Sequence, residues 1–228
     1  MNNNSRNNST FFLNLTVVYC VCLIVSNITA FKIVGIGSFV FPAAVFLFPI
    51  TYITNDILAE VYGYEKARPV IWTGFLMNLL AVAFLWSTTY LPSPVFFEGG
   101  DAYKAVLSST PRMLAASLTA YLCGSFINAF TVSKLKIATK GKFLGFRLIL
   151  STVLGEGIDS IIFITIAFIG QMPFPSLLTM IATQAVIKIL YEIILYPITK
   201  IIINKIKRAE NIDAMDTSIK SYNPFSTK

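Results

Sequence analysis

The chain has 228 residues, of which 55% are hydrophobic and 13% charged, with a mean hydropathy of +0.70. Soluble domains carry about 25% charged residues, so a soluble globular enzyme is excluded, and 19 Phe and 10 Tyr exclude a solvated, disordered chain. The formal net charge is +7, and its placement, taken up below, assigns it to membrane topology, not to direct nucleic-acid binding. There is no His, and Cys20, Cys22 and Cys123 all lie in apolar runs without a CxxC pair. Neither a zinc site nor a disulfide framework follows, and no cofactor is implied.

Residues 1–10, Asn-rich from Asn2 to Asn8, read as a flexible N-terminus. A bilayer core about 30 Å thick needs about 20 apolar helical residues. Six stretches supply them, at 11–30, 42–62, 70–91, 112–133, 147–170 and 175–203. The first is too long for a signal-peptide core and lacks a small-x-small exit. The reading is one all-α transmembrane domain over 11–203, then a basic cytoplasmic tail over 204–228 that is flexible beyond Arg208.

The second span needs its start argued. Gly35, Gly37 and the β-prone Ser38-Phe39-Val40-Phe41 predict an extended or hairpin-like segment over 32–41, with Pro42 as the first helical residue and Gly63 as the stop. Pro49 then kinks the helix internally, and Asn55 and Asp56 lie within the bilayer. Extended backbone at membrane depth requires cover from protein or a wet cavity.

Positive charge sets the orientation. With the N-terminus inside, the cytoplasmic segments hold Lys66, Arg68, Lys134, Lys136, Lys140, Lys142, Arg147 and the basic tail, whereas Lys32, Lys104 and Arg112 fall outside. Six helices with both termini in the cytoplasm is the predicted topology.

Ionisable groups inside spans cost about 2.5–3.5 kcal/mol each on insertion scales, which makes them candidates for function. Asp56 and Glu60 share a face of the second span, with Asn55 alongside. Thr152, Glu156, Asp159, Ser160 and Phe163 form one stripe of the fifth. Gln184, Lys188 and Glu192 stack at i+4 steps in the sixth, with Tyr191 adjacent. Each has a plain alternative: Lys188 and Glu192 pairing within their helix, Glu60 solvated at the cytoplasmic end. Glu156 and Asp159 repel one another and call for a partner: a proton, a cation or a donor-rich ligand. In the fourth span, Ala116, Ala120 and Gly124 recur every four residues, a pattern that lets a neighbouring helix approach closely. Asn128 in that span is either interhelical glue or a ligand contact, and Asn78 in the third is glue. No P-loop, GxSxG, HExxH or metal-ligand spacing is present. A membrane enzyme using Glu156 and Asp159 as an acid–base pair would lack both His and a nucleophile.

Three strings carry a resemblance: Pro49-Ile-Thr-Tyr-Ile-Thr-Asn-Asp-Ile-Leu-Ala-Glu-Val-Tyr-Gly63 with Ala67-Arg68, Ser151-Thr-Val-Leu-Gly-Glu-Gly-Ile-Asp-Ser160, and Lys188 in the last span. With Ser26-Asn27, they resemble the queuosine precursor transporters of bacterial inner membranes, over about 26–197. The resemblance implies a multi-pass inner-membrane carrier for 7-deazaguanine bases (preQ0, preQ1 or queuine) serving queuosine modification of tRNA. It also implies a six-helix fold like the substrate-binding subunits of energy-coupling-factor vitamin transporters. The first helix lacks the AxxxA pattern many of those subunits use for docking, which favours a self-sufficient carrier, monomer or homodimer, without an ATPase partner. The rival is a substrate-capture subunit that needs one. A guanine-like edge presents N–H and NH2 side by side, and one carboxylate accepts both. Glu156 or Asp159 suits that edge, the other suits the aminomethyl cation of preQ1, and Asn128 and Gln184 suit the carbonyl and ring nitrogen. Stacking candidates are Phe163, Tyr121, Tyr191 and Tyr52. Asn55, Asp56 and Lys188 complete the expected substrate site, with Glu60 and Glu192 as coupling or gating groups.

Overall fold

The structure is a computed structural model that describes residues 3–30, 32–36, 39–94, 96–107, 111–170, 173–215 and 222–224. The elements in chain order are α1 (Asn3–Thr29), the strands β1 (Ile33–Ile36) and β2 (Phe39–Pro42), a 3-10 turn (Ala43–Phe46), α2 (Phe48–Tyr62) and α3 (Tyr64–Thr88). They continue with α4 (Gly100–Leu107), α5 (Pro111–Ala138), α6 (Leu144–Phe168) and α7 (Phe174–Glu210). Five stretches are long and apolar enough to cross a membrane: most of α1, α2 with its leading turn, α3, the stretch ending in α5, and α6. The sixth predicted span lies within α7, which is 37 residues long.

The helix α2 is the centre of the bundle. Of its span 72% is buried inside the protein, against 17% for α1 and 22% for α3, whose apolar faces are left for lipid. Tyr19 and Leu23 of α1, Ile57, Leu58 and Val61 of α2, Ile71 of α3, Val132 of α5, Leu148 of α6 and Ile203 of α7 form one buried cluster. Between α5 and α6 the backbones nearly touch. A Cβ on Gly155 would stand 3.0 Å from the Gly124 carbonyl and 2.8 Å from Asn128 Cβ, so the small residues at this crossing set its distance.

The expected hairpin is present: β1 and β2 pair antiparallel with Ile33 opposite Pro42. The start of the second helix differs. Pro42 ends β2 instead of opening a helix, and Pro49 sits in the first turn of α2, where its missing N–H breaks no ladder, so it introduces no internal kink. Gly63 stops α2 as expected, at φ 83°, a conformation that favours glycine, and the same residue starts α3. Hence α3 begins at Tyr64 and carries Pro69 inside it. The N-terminal segment expected to be flexible is helical from Asn3, and α4 was not anticipated.

The largest departure is the C-terminal tail, expected to be flexible. The Ala214 N–H donates to the Val61 carbonyl (3.0 Å), Arg68 to the Asn223 carbonyl (2.7 Å) and the Trp72 indole N–H to the Pro224 carbonyl (2.9 Å). Tyr222 stacks on Tyr64 with ring centroids 5.5 Å apart, under the Lys134 ammonium at 4.2 Å. These contacts dock the tail across the end of the bundle where α2, α3 and α5 meet. The exposed ends of those helices offer carbonyls, cations and aromatic faces, which a composition-based reading of the tail cannot register.

Candidate functional site

Three polar clusters sit along α2. The first surrounds Lys188 of α7. Its ammonium lies 2.7 Å from Glu156 Oε2 and 2.5 Å from Asp159 Oδ2, both on α6, and the three residues are at most 4% exposed. The fifth-span carboxylates therefore find their partner in the protein's own lysine, which sides with α6 instead of with Glu192 on its own helix. Two carboxyl groups share one ammonium in a buried place, so the cluster holds one more acid than it has bases. The Lys188 cation also stands 4.9 Å from the Phe48 ring centroid and 6.0 Å from that of Tyr52. The Tyr52 hydroxyl is buried with no hydrogen-bond partner among the described residues. It points at Gly124: a Cβ there would come within 2.5 Å of that hydroxyl and 2.9 Å of Asp159 Cβ.

One turn further along α2, Asn55 Nδ2 donates to Asn128 Oδ1 (2.7 Å) and to the Ser125 carbonyl (3.0 Å). Asn128 Nδ2 donates in turn to Asp56 Oδ1 (2.9 Å), which also accepts from the Ser151 hydroxyl at 3.4 Å. Asn128 thus ties α5 to α2. Glu192 of α7 reaches Asp56 within hydrogen-bond distance and lies beside the Thr152 hydroxyl of α6, which donates to the Leu148 carbonyl (3.0 Å).

The third cluster closes the basic end. Glu60, fully buried, accepts from Arg147 of α6 (2.7 Å) and Lys207 of α7 (2.6 Å), while Lys136 of α5 donates to the Glu60 carbonyl at 2.5 Å. The expectation of a solvated Glu60 is corrected by these partners. Asp213, on the docked tail, pairs with Lys136 and with Lys207 (2.8 Å). Partial burial pushes its carboxyl up, but hydrogen bonds and charge from Lys136 and Lys207 outweigh that and hold it below the usual carboxylate range.

The sequence model of the family described as "Putative vitamin uptake transporter" matches residues 42–202. The chain belongs to this family. It is also similar to the "Probable queuosine precursor transporter" of Bacillus subtilis (strain 168), being 26% identical over 148 residues, 64% of either chain. The chain thus spans 64% of that relative's length. No solved structure matches it. Family membership and the apolar helices together make the protein a multi-pass membrane protein of a transporter family.

Within this transporter fold, the stretch 42–202 contains both buried clusters around Lys188 and Asp56, whereas Lys207 and Asp213 lie beyond it. The structure brings Glu156, Asp159 and Lys188 together, and groups Asn55, Asp56, Asn128 and Glu192 separately. Gln184 is half-buried one turn before Lys188. Phe163 packs edge-on against Phe168 (6.4 Å), and the Tyr191 hydroxyl donates to the Phe46 carbonyl at 3.5 Å, so neither aromatic stands among the contacts of the Lys188 cluster. Tyr121 donates to the Ile71 carbonyl (2.8 Å) and ties α5 to α3. Asn78, expected as glue, is fully buried with neither amide atom bonded among the described residues. Lys136, Arg147 and Lys207 were legible only as topology charges, because their common partner Glu60 comes from a helix far away in sequence.

Proposed function

We propose that the protein imports 7-deazaguanine bases (preQ0, preQ1 or queuine) across the bacterial inner membrane for queuosine modification of tRNA. In this reading α7 is the sixth crossing, the basic end with the docked tail is cytoplasmic, and the carrier works as a monomer or homodimer without an ATPase partner. The name of the Bacillus relative and the three sequence strings support the substrate class. The observation that carries the reading is the buried Lys188–Glu156–Asp159 triad with its surplus carboxylate beside the unpartnered Tyr52 hydroxyl.

The chemistry runs as follows. In the substrate-free state Lys188 occupies both carboxylates and stands in for a ligand's donors. The N–H and NH2 of the guanine-like edge take one carboxylate in a bidentate bond, and Lys188 keeps the other. The Tyr52 hydroxyl gains an acceptor in the base carbonyl, which removes the penalty of an unsatisfied buried donor. A cationic aminomethyl group can pair with the carboxyl group that the base edge leaves free, which neutral preQ0 cannot do, so preQ1 fits the cluster better. The test is complementation: the chain is expressed in cells unable to make deazaguanines, each base is supplied, and tRNA is analysed for queuosine. Queuosine appearing only with the transporter present is the expected result. Its absence with every base, from a well-expressed protein, rejects the substrate class. An ATPase pair that co-purifies stably would reject self-sufficiency.

A further inference from the structure

We infer that Asp56 and Glu192 form a proton-binding site, distinct from the Lys188 triad, whose loading and unloading couples uptake to proton entry. The coupling half of this inference rests on the transport reading above; the existence of the site does not.

The three clusters along α2 differ in how their carboxylates are compensated. Glu60 has Arg147 and Lys207 on one oxygen, and Glu156 and Asp159 share Lys188. Among the described residues no cation pairs with Asp56 or Glu192. Asp56 is 0% exposed and Glu192 4%, and Asp56 Oδ2 and Glu192 Oε1 are buried oxygens without a donor. The remaining contacts are neutral: Asn128 and Ser151 donate to Asp56, and the Thr152 hydroxyl stands beside Glu192. Yet the two carboxyl groups face each other within hydrogen-bond reach. Two bare carboxylates in that position repel, and neither can donate. One proton between them turns the contact into a hydrogen bond and supplies the missing donor. The step is a simple protonation: the proton enters with the carboxyl pair open to one side of the membrane and leaves with it open to the other, and no covalent bond or electron is exchanged.

The surroundings make this pair suited to coupling. From α2, Glu60 lies one turn on and is committed to Arg147 and Lys207. From α5 comes Asn128, and Tyr19 of α1 donates to the neighbouring Ser125 at 3.3 Å. From α6, Thr152 sits one turn before Glu156, and from α7, Glu192 sits one turn after Lys188. The proton pair and the Lys188 triad therefore share α7, and α2 contributes Asp56 to the one and Tyr52 to the edge of the other. Losing the proton sets α2 and α7 against each other, at the contact that must open for a base to leave the triad. A pair protonated at rest also keeps the buried charge of the two clusters lower than four free carboxylates would.

Infrared difference spectroscopy on the purified, reconstituted protein tests the site without any substrate. A protonated-carboxyl C=O band is expected at neutral pH in the wild type, and it should be lost or shifted in both D56N and E192Q. A band unchanged in both variants overturns the inference. The coupling is read in proteoliposomes with labelled preQ1. Acid-outside accumulation by the wild type should collapse with a proton ionophore, and E192Q should retain counterflow while losing at least tenfold of gradient-driven accumulation. Accumulation that ignores the ionophore and follows a sodium gradient overturns the coupling. Absence of wild-type counterflow with every base would reject the substrate reading, and the infrared band would still decide the proton site.

Discussion

Replacing Lys188 by Met isolates the charge argument. The methionine side chain follows much of the lysine stem and fills similar volume, so packing against Phe48 and Tyr52 is largely kept while the ammonium is lost. What remains is Glu156 and Asp159, at most 4% exposed and one turn apart, without the ammonium that joined them. Removing one partner of a buried ion pair costs about 3–5 kcal/mol, a large share of the roughly 5–15 kcal/mol by which folded proteins are stable. The K188M variant should therefore express poorly and melt far below wild type in detergent. The companion variant K188M/E156Q/D159N removes all three charges and should recover most of the loss, because neutralising a buried ionic cluster as a whole is close to neutral in stability. Size-exclusion yield and thermal unfolding measure both. If K188M melts as the wild type does, Lys188 compensates nothing. If the triple variant is no better than K188M, the lost contact is packing and the electrostatic reasoning is wrong.

Glu156→Gln and Asp159→Asn keep shape and should leave the fold intact, but each opposes an NH2 to the donors of a bound base, for a loss of about 1–3 kcal/mol or roughly 5- to 150-fold in affinity. Uptake of preQ0 and preQ1 should show one variant weakened for both bases and the other for preQ1 alone. Gly124→Ala drives a methyl into Tyr52, Asp159 and the Gly155 carbonyl, and should cost about 1–3 kcal/mol in detergent melting. Gly157→Ala, whose Cβ meets nothing within 4 Å, should instead stabilise α6 by up to about 1 kcal/mol. Asp213, held below its ordinary value, contributes to tail docking above the unfolded carboxylate pKa of about 3.9 and loses that contribution as pH falls through its lower folded value. Limited proteolysis of the tail should accordingly accelerate only in strong acid, whereas Asp213→Asn should accelerate it at neutral pH.

The sequence carried the membrane class and the location of the apolar helices, because hydropathy over about 20 residues is a local property. It also carried the 32–41 hairpin and the stop at Gly63, each set by a few neighbouring residues. It misjudged the start of α2, since Pro42 and Pro49 both suit a first helical turn and only the pairing of β2 with β1 decides between them. The docked tail was illegible for a different reason. Its anchors are backbone carbonyls, one aromatic ring and Asp213, which gain meaning only against Arg68, Trp72, Tyr64 and Lys136 from other helices. Buried charge marked the right residues, but spacing could not say which of them meet. Lys188 and Glu192, a natural i, i+4 pair by sequence, turn to different partners.

That division has a geometric cause in α2. Tyr52, Asp56 and Glu60 follow one another at i+4 steps, so one face of a single helix presents three stations over about 12 Å at 1.5 Å per residue. The partners on α6 and α7 are spaced by similar turns: Thr152 and Glu156 on one, Lys188 and Glu192 on the other. Packed together, the three helices align a triad with one more acid than bases, then a carboxyl pair with no cation among the described residues, then a cluster in which cations outnumber Glu60. The acid-rich triad thus lies farthest from the tail, and the positive cluster closes the tail end. On the proposed function, a base that leaves the triad toward that end must part α2 from α7, and on this path it meets the carboxyl pair before the Glu60 cluster. Moving α2 cannot disturb one station and spare the others. Helix rigidity therefore couples Glu60 to Lys188: crosslinking α2 to α7 near Glu60 should arrest exchange at the triad, although among the described residues no ion pair joins the two stations.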